Sequence, residues 1–234
     1  MRFFLLFCVT LFCAQPSLGR DYPEFRLLKM DGAHVKWGAA EYGAGAEVSY
    51  ALVDAARDFP DARNCRSVGP VDPILAASGV DRNAFDAALV QAFGAWQSVS
   101  GIKFRPADDP QSADILIGSD LTAQGWAHAD VKTETSDDGI VRIERSLVCL
   151  SPAKLWKIGF GANPDAQDIR YTLTHEIGHA IGLNHASPQG QVMSFTYGER
   201  FIELQAGDIE GAHRLYGPAK DTMIATIPDA APVN

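Results

Sequence analysis

The sequence predicts an α+β domain, and three observations carry that expectation. One stretch alternates at period two, several short apolar segments follow a long helical pattern, and two more helical patterns close the chain. The order is strand, helix, four strands, helix, helix.

The first strand is "EVSYALV", Glu47 to Val53, where Val48, Tyr50 and Leu52 fall on one face. A helix follows, with Asp81 or Asn83 as its start signal and Gly101 as its stop. Within it Phe85, Leu89, Ala92, Phe93, Trp96 and Val99 recur at helical spacing, which makes it a core-facing helix. Three short apolar segments come next: Ile102 to Phe104, Asp114 to Ile117, and Trp126 to Ala129. Asp137-Asp138-Gly139 is a hairpin signal leading into "IVRIERSLVCL", so the strands on its two sides should pair antiparallel. Further helices are expected from about Asp168 to Leu183 and from about Ala206 to Tyr216, separated by a turn.

The ends read differently. Residues 1–19 carry one positive charge, an apolar run from Phe3 to Ala14 and small residues near Gly19, the pattern of a cleaved secretory signal; the run is too short to span a bilayer. Removing them leaves Cys65 and Cys149, and two cysteines in an exported chain are expected to form one disulfide. Residues 20–35 are then a short N-terminal segment or propeptide, residues 36–217 the domain proper, and the Pro-, Ala- and Asp-rich residues 218–234 a loose tail. A formal charge of -9 argues against nucleic acid or an anionic membrane as the main partner. No later apolar run is long enough for a membrane span. The expected product is a secreted monomer, extracellular or periplasmic.

Chemistry concentrates in "HEIGHAIGLNH", residues 175 to 185. A helix brings His175 and His179 onto one face, so both imidazoles can address one metal ion. Gly182, one turn on, can take a left-handed conformation that ends the helix and returns His185 as a third ligand. Catalytic zinc takes three protein ligands and leaves a position open. Glu176 is free to act as general base toward a water at that position. A helix with incidental histidines would have to explain three imidazoles in one short segment.

With "VMS" at 192 to 194, this segment resembles the metzincin metallopeptidases, and within them the matrixins, the family of the matrix metalloproteinases and their bacterial relatives. "FDAALVQAFGAWQSVSGIKF", "ADILIG", "GWAHAD" and "LQAGDIEGAHRLYG" resemble other parts of that domain, so the likeness covers about residues 36 to 217. The resemblance implies a zincin-type fold: a five-stranded twisted mixed sheet, an active-site helix beneath it, and a small C-terminal subdomain with a final helix. It also implies a zinc-dependent endopeptidase, with Met193 as an apolar floor under the imidazoles and substrate bound as an added strand along Trp126, Ala127 and Ala129. Tyr197 either lines the pocket for the substrate side chain after the cleaved bond or stands as a wall residue of the lower subdomain. Both readings let Ser194 to Tyr197 shape a pocket expected to take an apolar residue.

Departures from the family set further expectations. Phe195 stands where sister families carry a tyrosine ligand. The prodomain cysteine motif is missing, and Cys65 lies inside the domain; Asp21, Glu24 or Asp31 could cap the zinc instead, although loop acids are usually just solvated. His128 matches one ligand of a second, structural zinc whose other ligands are lost, so it reads as an edge-strand residue. His34 and His213 receive no role. Calcium near Asp137 and Asp138 is kept open, though two acids in a turn fall short of a full loop of spaced oxygen ligands. The alternative to a peptidase is a secreted binding or adhesion module that retains zinc without cutting.

Overall fold

The structure is a computed structural model, and it describes residues 25–122, 125–134, 139–161, 163–186 and 190–220. The signal-like leader, Asp21, Glu24, the turn acids Asp137 and Asp138 and residues 221–234 lie outside the described residues. Strands β1 (Arg26–Leu27), β2 (Lys29–Met30) and β3 (Ala33–Lys36) lead to β4 (Ala46–Leu52), β5 (Arg57–Asp58) and β6 (Ser67–Gly69). Helices α1 (Asp72–Ser78) and α2 (Arg82–Val99) precede β7 (Ile102–Pro106), β8 (Ile115–Asp120), β9 (Ala127–Thr133) and β10 (Ile140–Leu150). The chain closes with β11 (Leu155–Lys157), β12 (Ala166–Asp168), α3 (Ile169–Ala180), β13 (Leu183–Asn184) and α4 (Ala206–Tyr216).

The five expected strands form the body of the sheet. β7, β4, β8 and β10 run parallel to one another, and β9 lies antiparallel on β10, so the sheet is mixed. Among the described residues β9 pairs with β10 alone, which leaves its other edge open. Alternation along the strands explains why both sheet faces are apolar. Ile115, Ile117, Val148 and Leu150 face the helices, while Leu116 and Leu147 face a smaller cluster with Val53, Phe59 and Val68. The Cys65–Cys149 disulfide sits in that smaller cluster.

Helix starts follow the side chains that cap them. Asp81 accepts from the N–H groups of Asn83 and Ala84 at 2.9 and 3.1 Å, and Asp168 accepts from that of Tyr171 at 2.7 Å. α3 ends at Ala180, short of the expected Leu183, because Gly182 adopts φ +102°. A side chain at Gly182 would also strike the Val35 carbonyl, so both shape and space call for glycine. The buried carbonyls at this helix end find distant donors. Ala180 O accepts from Trp37 Nε1 at 2.9 Å and Ser146 Oγ at 3.0 Å, and Ile181 O accepts from the Tyr216 hydroxyl at 2.6 Å.

Residues 26–36 join the body of the molecule. β3 lies parallel to the start of β10, and β1 pairs antiparallel with β13, opposing Arg26 to Asn184 and Leu27 to Leu183. Just past α4, the Ala219 N–H donates to Val99 O.

Candidate metal centre

α3 crosses beneath the sheet with its inner face buried, and packing fixes its rotation. Leu173 and Ile177 are fully buried, and Trp96 of α2 donates its indole N–H to Thr174 O at 2.9 Å. The opposite turns present His175 and His179 to a cleft of about 710 Å³ below β9. His185, following β13, closes the third side.

The three Nε2 atoms lie 3.2 Å (His175 to His185), 3.2 Å (His175 to His179) and 3.1 Å (His179 to His185) apart. His175 Nδ1 sits 2.6 Å from Val192 O and His179 Nδ1 2.8 Å from Leu183 O. A carbonyl only accepts, so these Nδ1 atoms carry the protons and the Nε2 atoms point lone pairs at one another. Converging lone pairs repel unless a cation lies among them. Tetrahedral zinc with imidazole ligands at 2.0–2.1 Å would set its nitrogens about 3.3 Å apart, so the donor set fits that ion. Burial lowers the pKa of all three rings, His175 to about 4 and His179 well below its ordinary value, which keeps them neutral and ready to ligate.

Glu176 faces the same cleft, and it is almost fully buried. Burial raises its carboxyl to about 8, opposed by a backbone hydrogen bond from Ala129. That bond ties the acid to the open strand. Trp126, Ala127 and Ala129 line the upper side of the cleft, and Tyr197 the lower side beside Tyr171, the two rings edge to face at 5.0 Å. The Tyr197 hydroxyl accepts from the Asp168 N–H at 2.8 Å and donates to Glu199 at 2.8 Å.

Met193 is 2% exposed and packs under α3 against Gly178. A Cβ at Gly178 would lie 2.2 Å from Met193 Sδ and 2.8 Å from the Trp96 ring, so this first glycine of the motif makes room for the floor. Phe195 is 80% exposed, edge-on to His185. His34 bonds Tyr42 Oη at 2.5 Å, and His213 Nε2 donates to Val99 O at 2.7 Å. Both act within the scaffold.

Sequence reasoning missed the acids that hold the site's loops. Asp208 of α4 accepts from the N–H groups of Val192 and Gln205 at 2.9 Å and of Met193 at 3.0 Å. Burial pushes its carboxyl up, and the three backbone donors oppose that shift. Its one sequence signal was an acid three residues after Gln205, the second half of a capping box. Asp130 of β9 accepts from Arg63 N, Asn64 N and Cys65 N at 3.0, 2.6 and 2.7 Å. Lys157 reaches Glu199 at 2.6 Å and the carbonyls of Gly161 and Asn163 at 2.7 and 2.8 Å. No periodicity announces any of these contacts.

A mixed sheet with an open lower strand, three imidazoles converging on one point and an acid beside them fit a tris-histidine metal centre of the zincin type. The matrixin family model matches residues 74–217, more than half of the chain, and the chain belongs to that family. It is 30% identical over 140 residues to metalloendoproteinase 1-MMP of Arabidopsis thaliana, covering 55% of this chain and 36% of the relative. Stromelysin-2 of Rattus norvegicus is 25% identical over 168 residues, covering 64% and 33%. Interstitial collagenase of Sus scrofa is 27% identical over 161 residues, covering 62% and 30%. The chain thus spans about a third of the length of these relatives.

Proposed function

We propose that this chain is an exported zinc-dependent endopeptidase that cleaves internal peptide bonds of proteins. The observation that carries the reading is the convergence of three neutral imidazoles beside Glu176, under the open edge of β9. His175, His179 and His185 hold the ion, and Met193 is its apolar floor. When bound there, zinc supplies Lewis acidity: it makes a water more acidic and polarises the scissile carbonyl.

The chain's own groups do the rest. A peptide lies along β9 as an added strand, gripped by main-chain hydrogen bonds near Trp126, Ala127 and Ala129. Glu176 takes a proton from the attacking water and returns it to the departing amine as the C–N bond breaks. Tyr197 walls the pocket for an apolar side chain, and its hydrogen bonds to Asp168 and Glu199 keep it rigid. The relatives named as metalloendoproteinases and a collagenase support this reading, as the apolar leader and the Cys65–Cys149 disulfide support export.

The test pairs metal analysis with cleavage. Wild type and Glu176→Ala, both without residues 1–19, are expected to bind one zinc each, while only the wild type cuts denatured protein and a quenched peptide library, with loss on chelation. Zinc bound by both and cleavage by neither would favour the adhesion-module reading.

A further inference from the structure

The upper rim of the cleft carries a feature that the hydrolytic machinery does not use. Arg63 and Asn64 line the cleft from a loop between β5 and β6. Two devices hold that loop. The Asp130 carboxylate accepts three consecutive backbone N–H groups, from Arg63, Asn64 and Cys65, and the next tie is covalent, through Cys65 to Cys149 of β10. The Arg63 backbone is therefore placed with little freedom above the strand edge.

Its side chain remains exposed and forms no ion pair among the described residues. Nearby charges are otherwise occupied. Both Asp130 oxygens serve the loop, Asp61 pairs with Arg145 and Lys132, and Lys132 also reaches Glu144. Among the cleft's described lining residues Arg63 is the single lysine or arginine, on a chain whose formal charge is -9. Alternation supplies the geometry. Residues 128 and 130 of β9 share the sheet face of Cys149 and Leu147, the face on which the 63–65 loop sits. Side chains of an added strand opposite those positions would point to that same upper face, towards the guanidinium.

We propose that Arg63 is a specificity-determining residue that selects peptides with an acidic side chain on the upper face, in register with His128 to Asp130. This rests on the endopeptidase reading for the strand-addition mode. A guanidinium offers a planar fork of donors matched to a carboxylate. Because the arginine is exposed, the gain is modest, about three- to fivefold in kcat/KM for Glu over Gln.

The test scans Glu, Gln and Lys through the three positions on each side of the cleaved bond in a quenched peptide. It compares wild type, Arg63→Ala and Arg63→Glu, with zinc content and melting temperature as folding controls. In parallel, fluorescence anisotropy measures binding of the labelled Glu and Gln peptides to zinc-loaded Glu176→Gln, with and without Arg63→Ala. One position should favour Glu in the wild type, lose that preference in Arg63→Ala and favour Lys in Arg63→Glu. A wild-type ratio of one at every position, or a preference that survives Arg63→Ala, overturns the assignment while leaving the peptidase reading intact. Arg63-dependent binding of the Glu peptide without any cleavage upholds the assignment and removes the peptidase reading. Equal binding without cleavage removes both.

Discussion

His175 and His179 are held in one way and His185 in another. The first two ride on α3, whose inner face is buried against α2 and the sheet, so apolar packing places the helix that carries them, and each Nδ1 is then oriented by one carbonyl. His185 follows a two-residue strand and precedes a stretch from 190 to 205 with no helix or strand of its own. That stretch is held by polar groups: Asp208 beneath residues 192 and 193, the Ala186 N–H donating to Met193 O at 2.8 Å, and Lys157 with Glu199 at the far wall. Apolar packing tolerates small shifts across a broad surface, whereas a few buried hydrogen bonds concentrate the same task in single atoms. The two halves of the metal centre should therefore fail differently.

Asp208→Ala gives the largest expected effect. It strips an acceptor from three backbone donors, at a cost of about 3 kcal/mol or more. Calorimetry should show a drop in melting temperature, and zinc affinity should fall because Val192 O and Met193 lose their support beside His175. An unchanged zinc affinity would mean that the helix alone positions the site. Next is Gly178→Ala, which drives a methyl into Met193 and Trp96 and is expected to cost about 1–3 kcal/mol. A compensating Met193→Ala should recover part of the stability, and no recovery would argue against the contact. Lys157→Met follows at about 1 kcal/mol, since its pair with Glu199 keeps some solvent access. It should raise KM for substrates with a bulky pocket residue more than it lowers kcat.

A separate expectation concerns the pH dependence of the metal-free chain. Glu176, raised to about 8 by burial, contributes stability at acid pH that is lost as pH rises from its ordinary 4.5 towards 8. The imidazoles, lowered by burial, contribute stability present above 6.5 and lost as pH falls, for His175 towards about 4. Denaturant melts should therefore show a maximum near pH 6.5, and Glu176→Gln should flatten the decline on its alkaline side. A decline unaltered in that variant would assign it to another group.

The same division decides what was legible in the sequence. α2 announces itself through period and start signal, and β10 through the turn before it; β10 spans Ile140–Leu150, and the last helix runs from Ala206 to Tyr216 as expected. The histidine spacing predicted a shared face and a return at Gly182, and the three rings do meet. β9 runs on to Thr133 through polar residues because no position along it is fully buried, so neither of its faces demands apolar alternation. β1, β2 and β13 are two residues long, too short for any pattern to emerge. Asp130 and Asp208 act on backbone N–H groups, which are the same for nearly every residue type, and Asp130 acts across more than sixty positions. Such partners leave no mark on composition or spacing.

The route of the chain through this centre also sets a timetable. His175 and His179 are present once α3 has been made, but the carboxylate under residues 192 and 193 comes from α4, and the strand opposite Leu183 and Asn184 comes from residues 26 and 27. A chain emerging residue by residue cannot assemble the third ligand's setting until α4 follows and the early strand folds back upon it. On the proposed zinc reading, loading is expected to come late in folding, once α4 and the early strand are in place.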